Sequence, residues 1–181
     1  MPAIDGLLHK ADMRLRDLDF LACVVGPGSF TGIRIGVSAA RAVCYACGLP
    51  ALPLHYLQTL AYNERADGSA RILCVTDGSN GTAYSAEYDG NRREVSPCRC
   101  VDKDQAVAAA KAFDGAVCVD EKAAVWLPQA IVPAADGKTL LRAAAALYEN
   151  TVSWQELVPV YVRVSQAEQD LAKKEGRIDL S

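Results

Sequence analysis

The stretch Cys23-Val24-Val25-Gly26-Pro27-Gly28-Ser29-Phe30-Thr31-Gly32-Ile33-Arg34-Ile35-Gly36-Val37 decides how this chain is read. An apolar run ends at Val25. A loop of three glycines and a proline follows, and a helix then runs to about Cys47. Strand, glycine-rich turn and helix, in that order, are how an α/β protein presents a ligand or a partner at the carboxyl end of a strand. Gly26, Gly28 and Gly32 permit positive φ or close backbone approach, and Pro27 fixes one φ and removes one donor. Ser29 or Thr31 can cap the helix. A helix start with free N–H groups can hold an anion, so Gly28, Ser29, Thr31 and Gly32 are the phosphate-loop candidates. The spacing fits neither common nucleotide pattern. A Walker loop ends in Gly-Lys-Ser/Thr, whereas Gly32 is followed by Ile33 and Arg34, and for G-x-G-x-x-G the third glycine comes one residue late. A phosphate cradle and a plain structural turn both stand as readings.

The helix expected over residues 31–47 carries two stripes. Ile33, Val37, Ala40 and Cys44 form one; Gly36, Ala39, Val43 and Cys47 form the other. A helix apolar or small over most of its circumference is covered on two sides. One side would lie on a sheet. The other would be either interior to the monomer or an interface, and periodicity alone favours neither.

Composition bounds the class. The 181 residues are 51% hydrophobic and 23% charged, which excludes a disordered chain and supports one domain or two small lobes. A net charge of −3 without a basic cluster argues against tight nucleic-acid binding by this chain alone. No apolar run is long enough to cross a bilayer, and no secretory leader is visible, so a cytoplasmic address is expected. The seven cysteines are an odd number, mostly in apolar surroundings, and read as reduced packing residues. Cys44-x-x-Cys47 falls at a helix end, where the dipole does not favour a thiolate.

Outward from the loop, residues 1–13 read as an amphipathic helix and Phe20–Val25 as a strand. Gly48 and Pro50 stop the central helix. A strand over Ala51–Leu54 and a helix from His55 to about Glu64 follow. Arg71–Thr76 reads as a strand ending in Asp77-Gly78-Ser79-Asn80-Gly81, which is turn chemistry. Thr82–Tyr88 and Glu94–Cys98 read as a hairpin over Asp89-Gly90-Asn91. A helix over Asp104–Phe113, a strand over Ala116–Val119 and a short strand near Ala130–Val132 come next. A helix over Lys138–Tyr148 with Asp136 as its cap, an extended Val158–Arg163 and a polar tail complete the chain. The resulting division is a first lobe over residues 1–70, a second over 71–135, a helix and extended segment over 136–165 packing back between them, and a tail over 166–181. There are two histidines, far apart, and no H-E-x-x-H or G-x-S-x-G, so no catalytic constellation stands out.

Val25-Gly-Pro-Gly-Ser-Phe-Thr-Gly-Ile-Arg-Ile-Gly36 resembles the signature of the TsaB family, also called YeaZ. The similarity continues through Ala39-Ala-Arg-Ala42 and Gly48-Leu-Pro50, weakens around Thr76-Asp77 to Tyr84, and returns at Pro159-Val-Tyr-Val-Arg163. The resemblance implies an α/β, actin-like and Hsp70-like ATPase (ASKHA) fold of two lobes. It implies a non-catalytic subunit, not itself an enzyme, in the making of N6-threonylcarbamoyladenosine in tRNA. A TsaD-type subunit would catalyse the transfer and a TsaE-type ATPase would assist. ATP and metal would sit on those partners, with no cofactor bound strongly here. The chain would meet tRNA through the complex, and a homodimer is a further option. The family interface implies Leu8, Ile33, Gly36, Val37, Ala40, Val43 and Cys47 as contact residues. The family's opening Asp-Thr-Ser strand and hairpin have no match, so a first lobe truncated at its N-terminus is expected. Asp77-Gly-Ser-Asn-Gly-Thr82 also departs from the family's basic pair. The alternative is an active nucleotide-binding phosphotransferase of the same fold; a metallopeptidase would need a metal-spaced histidine pair.

Overall fold

The computed structural model describes residues 2–133 and 137–163. The candidate cap Asp136 and the tail over 166–181 lie outside the described residues. Among the described residues, six strands make two sheets. In the first, β1 (Leu21–Gly26) runs parallel to β2 (Ala51–His55), with Leu21 opposite Ala51 and Val24 opposite Leu54. Parallel strands require a crossover, and it is the central helix α2 (Phe30–Cys47). Val152 extends this sheet by a bridge to Ala51 on the far side of β2. Among the described residues no strand pairs with the outer edge of β1.

The second sheet has the order β5-β4-β3-β6. Strands β3 (Arg71–Ser79), β4 (Thr82–Asp89) and β5 (Glu94–Asp102) form an antiparallel meander, and β6 (Ala116–Val119) joins β3 in parallel. The strands are longer than the sequence implies. Asp77-Gly78 does not turn; it lies inside β3 beside an irregularity in register, and Gly78 is needed because a Cβ there would meet Thr82 Oγ1 at 2.6 Å. The turn is Asn80-Gly81, with φ of 52° and 76°, the backbone that a two-residue hairpin favours. Pro97 is tolerated because β5 is an edge strand.

Each sheet is covered on both faces. On the first, α2 buries Val37, Ala40 and Cys44 with Val25, Leu49, Ala51 and Leu157. The opposite face carries Leu52 and Leu54 against Ala143 of α6 (Lys138–Leu147). On the second, α3 (Tyr56–Ala61) covers Cys74, Ala86, Tyr88 and Cys118 with Leu57 and Leu60. The other face packs Leu73, Val75, Ala83 and Val119 against α4 (Lys103–Ala112) and α5 (Glu121–Ala124) through Ala106 and Ala123. We refer to these two bodies as the first and second lobes. Helix α3 is shorter than expected, because Asn63 caps a separate 3-10 turn over Glu64–Ala66. All seven cysteines are free, with Cys44, Cys74 and Cys118 buried. No described helix is long and apolar enough to cross a membrane.

An ionic tie joins the far parts of the chain. Asp67 accepts from Arg92 at 2.6 Å and from Arg142 at 2.8 Å. Arg92 also donates to the carbonyl of Ala61. The β4–β5 hairpin, the loop after α3 and helix α6 are thus held at one point.

Candidate functional site

Two places converge on the glycine loop: the cleft on one side of it, and the outer face of the helix it starts. The loop itself is built tightly. Gly26 has a φ of 138°, and a Cβ there would overlap the carbonyl oxygen of Val160, so only glycine fits. Neither Gly28 nor Gly32 uses positive φ. The cap is Ser29, not Thr31: its Oγ accepts from the Gly32 N–H at 3.2 Å, and its carbonyl accepts from the Ile33 N–H at 2.8 Å. The helix then ends at Gly48, whose φ of 67° is the left-handed cap that glycine supplies.

The cleft has a volume of about 600 Å³. Pro27, Gly28, Ser29 and Phe30 form one wall, and Thr76 to Ser79, Tyr84, Asp120 and Lys122 form the other. The extended segment from Val160 to Arg163 runs along it. In the second wall Thr76 Oγ1 donates to Asp120 Oδ2 at 2.5 Å, and Asp120 Oδ1 accepts from the Ala123 N–H, capping α5. Tyr56 faces this pair. Its hydroxyl is pushed up to about 12, first by burial and then by the charges of Asp120 and Glu121, so it stays a neutral donor. Phe30 and Tyr161 stack with centroids 4.5 Å apart, and Arg34 donates to the Tyr161 hydroxyl at 2.8 Å.

Of the four phosphate-loop candidates, Gly28 and Ser29 line the cleft with Gly32. Yet the Ser29 side chain and the Gly32 N–H satisfy each other, and carboxylates at Asp77 and Asp120 stand across the gap. Among the described residues, no group of three His, Cys, Asp or Glu stands together as a metal site would require.

The outer face of α2 is different. Ile35 is 66% exposed and Tyr45 70% exposed, with Gly36, Ala39 and Ala42 exposed between them and Ala46 just beyond. A Cβ on Gly36 would touch nothing. Nearby in sequence, α1 (Pro2–Lys10) exposes Ile4 and Leu7, the latter at 67%. Ile4, Leu8, Met13 and Leu15 line one open concavity. The seven contact residues expected from sequence therefore divide. Gly36 faces solvent. Leu8, Val43 and Cys47 are half-buried, and Ile33 is half-buried against the first-lobe core. Val37 and Ala40, at 2% and 8% exposure, face the sheet and cannot meet a partner, which corrects their assignment. Ile35 and Tyr45 were missed because neither falls on either of the two stripes; their large apolar side chains on the outward arc were the available signal.

Comparison with known proteins places this geometry in a family. A family model described as "TsaD: tRNA N6-adenosine threonylcarbamoyltransferase" matches residues 1–168. The chain is 33% identical over 96 residues to the tRNA threonylcarbamoyladenosine biosynthesis protein TsaB of Escherichia coli, and 38% identical over 89 residues to that of Bacillus subtilis. This chain belongs to the TsaB (YeaZ) family. The matches span 52% and 49% of this chain but only 42% and 38% of those two proteins, so the chain spans about two fifths of the length of these two relatives. A protein of Mycobacterium tuberculosis described as uncharacterized is 30% identical over 90% of this chain and 72% of its own length. The YeaZ structure from Pseudomonas aeruginosa superposes with a TM-score of 0.71 at 22% identity, covering 88% of this chain and 82% of that one. A second structure from that organism, described as similar to peptidase YeaZ, gives 0.73 at 22% identity over 90% and 82%. At that identity the likeness establishes the fold, which is the ASKHA-like α/β architecture of the TsaB family.

Proposed function

We propose that this chain is a non-catalytic subunit in the formation of N6-threonylcarbamoyladenosine in tRNA. The outer face of α2, together with α1, docks on a TsaD-type catalytic subunit. A TsaE-type ATPase supplies the energy-coupled step, ATP and metal belong to the partners, and tRNA reaches this chain only through the complex, in the cytoplasm. The observation that carries the reading is the exposed row Ile35, Gly36, Ala39, Ala42 and Tyr45 on the side of α2 away from its buried residues Val37, Ala40 and Cys44. Exposed apolar surface of this kind costs free energy in water and marks an interaction site. Small residues let a second helix approach closely, and a large apolar residue at each end supplies the anchoring area. The relatives named for threonylcarbamoyladenosine biosynthesis supply the pathway.

Reconstitution tests the proposal. A TsaD-type and a TsaE-type subunit are incubated with unmodified tRNA, ATP and an activated threonylcarbamoyl donor. Modified nucleoside is then measured by mass spectrometry with and without this chain. The expected result is formation that depends on this chain, while the chain alone forms none. Equal formation in its absence contradicts the proposal.

A further inference from the structure

We propose that residues 157–163 act as a latch between the lobes, anchored firmly in the first and releasably in the second. Leu157 is fully buried in the first-lobe core. The Val160 N–H donates to the Val25 carbonyl at 2.9 Å, at the very end of β1. Its own carbonyl presses on Gly26. Tyr161 stacks on Phe30, and its hydroxyl accepts from Arg34. One residue further the chain changes lobes. Val162 packs against the cluster that contains Leu57, Tyr84 and Cys118, and Arg163 Nη1 donates to Thr82 Oγ1 at 3.1 Å, at the start of β4.

The two ends are unequal. A buried leucine, a backbone hydrogen bond and an aromatic stack hold the first. Among the described residues, a half-buried valine and one side-chain hydrogen bond hold the second. The weaker contacts open first, so release occurs at Val162 and Arg163 while Val160 stays on β1. Because the segment lies along the cleft between Gly28–Phe30 and Thr76–Ser79, release at Val162 and Arg163 uncovers the Thr76–Ser79 wall while Tyr161 stays on Phe30. The latch thereby sets access to the second wall of the cleft. It rests on the contacts above and does not depend on which partner α2 meets.

Hydrogen exchange of the full chain, read by mass spectrometry, tests this. Arg163→Met keeps the aliphatic stem and removes the guanidinium. Exchange is expected to rise at least fivefold in 162–163 and in 76–82, with Val160, residues 28–33 and residues 72–75 and 84–88 of the central strands unchanged. Arg163→Lys, which keeps a donor, is expected to return most of the protection. Acceleration that reaches Val160 and 28–33, or none in 76–82, overturns the latch. Should the central strands also accelerate in Arg163→Met, Val162→Ala is read by the same criterion: a faster 76–82 with a quiet core and a quiet 28–33 supports the latch, and any other pattern overturns it.

Discussion

Gly36→Arg and Ala40→Glu are one helical turn apart on α2, and the structure predicts opposite effects on stability. Gly36 is exposed, and a Cβ there would have no neighbour within 4 Å. Glycine inside a helix is worse than a good helix former by about 0.8–1 kcal/mol, so Gly36→Arg should stabilise the isolated chain by roughly 0.5–1 kcal/mol. Ala40 is 8% exposed and packed among Val37, Cys44 and Ala51. A glutamate there is a carboxylate without a partner in an apolar cluster, a loss of about 3–5 kcal/mol. For a chain of this length each kcal/mol moves the midpoint by roughly 2–4 °C. Thermal unfolding followed by circular dichroism should therefore show Gly36→Arg raised by a few degrees and Ala40→Glu lowered by roughly 6–20 °C. Both variants would disturb partner binding, but only the first does so as a folded chain. A midpoint for Gly36→Arg more than about 5 °C below the parent, or an unchanged midpoint for Ala40→Glu, would falsify the assignment of the two faces.

Three further outcomes follow from the packing. Leu157→Ala removes a fully buried side chain from the first-lobe core and should cost about 2–5 kcal/mol in urea unfolding; a cost below 1 kcal/mol would mean the segment does not anchor there. Asp67→Asn leaves Arg92 and Arg142 without their shared carboxylate, but Asp67 is half exposed, so equilibrium unfolding should show a loss of about 1 kcal/mol or less. Tyr56 ionises late in the fold, near 12 rather than 10. Its contribution to stability is whole below pH 10 and lost as pH rises through about 12; ultraviolet titration should show a phenolate with that midpoint that disappears in Tyr56→Phe, and an unchanged titration would contradict its burial.

Much of the fold was legible because local chemistry agreed with it. Ser29 and Gly48 bound α2, and the apolar run over Ala116–Val119 is β6 to the residue. Legibility failed where local chemistry was ambiguous. Asp77-Gly78 has turn composition, but cross-strand pairing with Ala83 keeps it in β3, and the turn falls to Asn80-Gly81. The period of α2 shows two stripes without saying which one the sheet covers, and the family interface, applied to the whole helix, takes in Val37 and Ala40 together with Gly36. Contacts over long separations, such as Arg34 with Tyr161 and Arg163 with Thr82, leave no local pattern to read. They are what convert an extended C-terminal segment into a connection between lobes.

The docking of α2 is the central claim, and titration calorimetry of this chain against a TsaD-type subunit tests it most directly. The parent chain should bind with one-to-one stoichiometry. Ile35→Asp, a charge at a position already 66% exposed, should leave the unfolding midpoint within about 2 °C while weakening association at least a hundredfold, the loss of about 2.7 kcal/mol expected of a central anchor. Undiminished affinity in a folded Ile35→Asp chain would contradict the account.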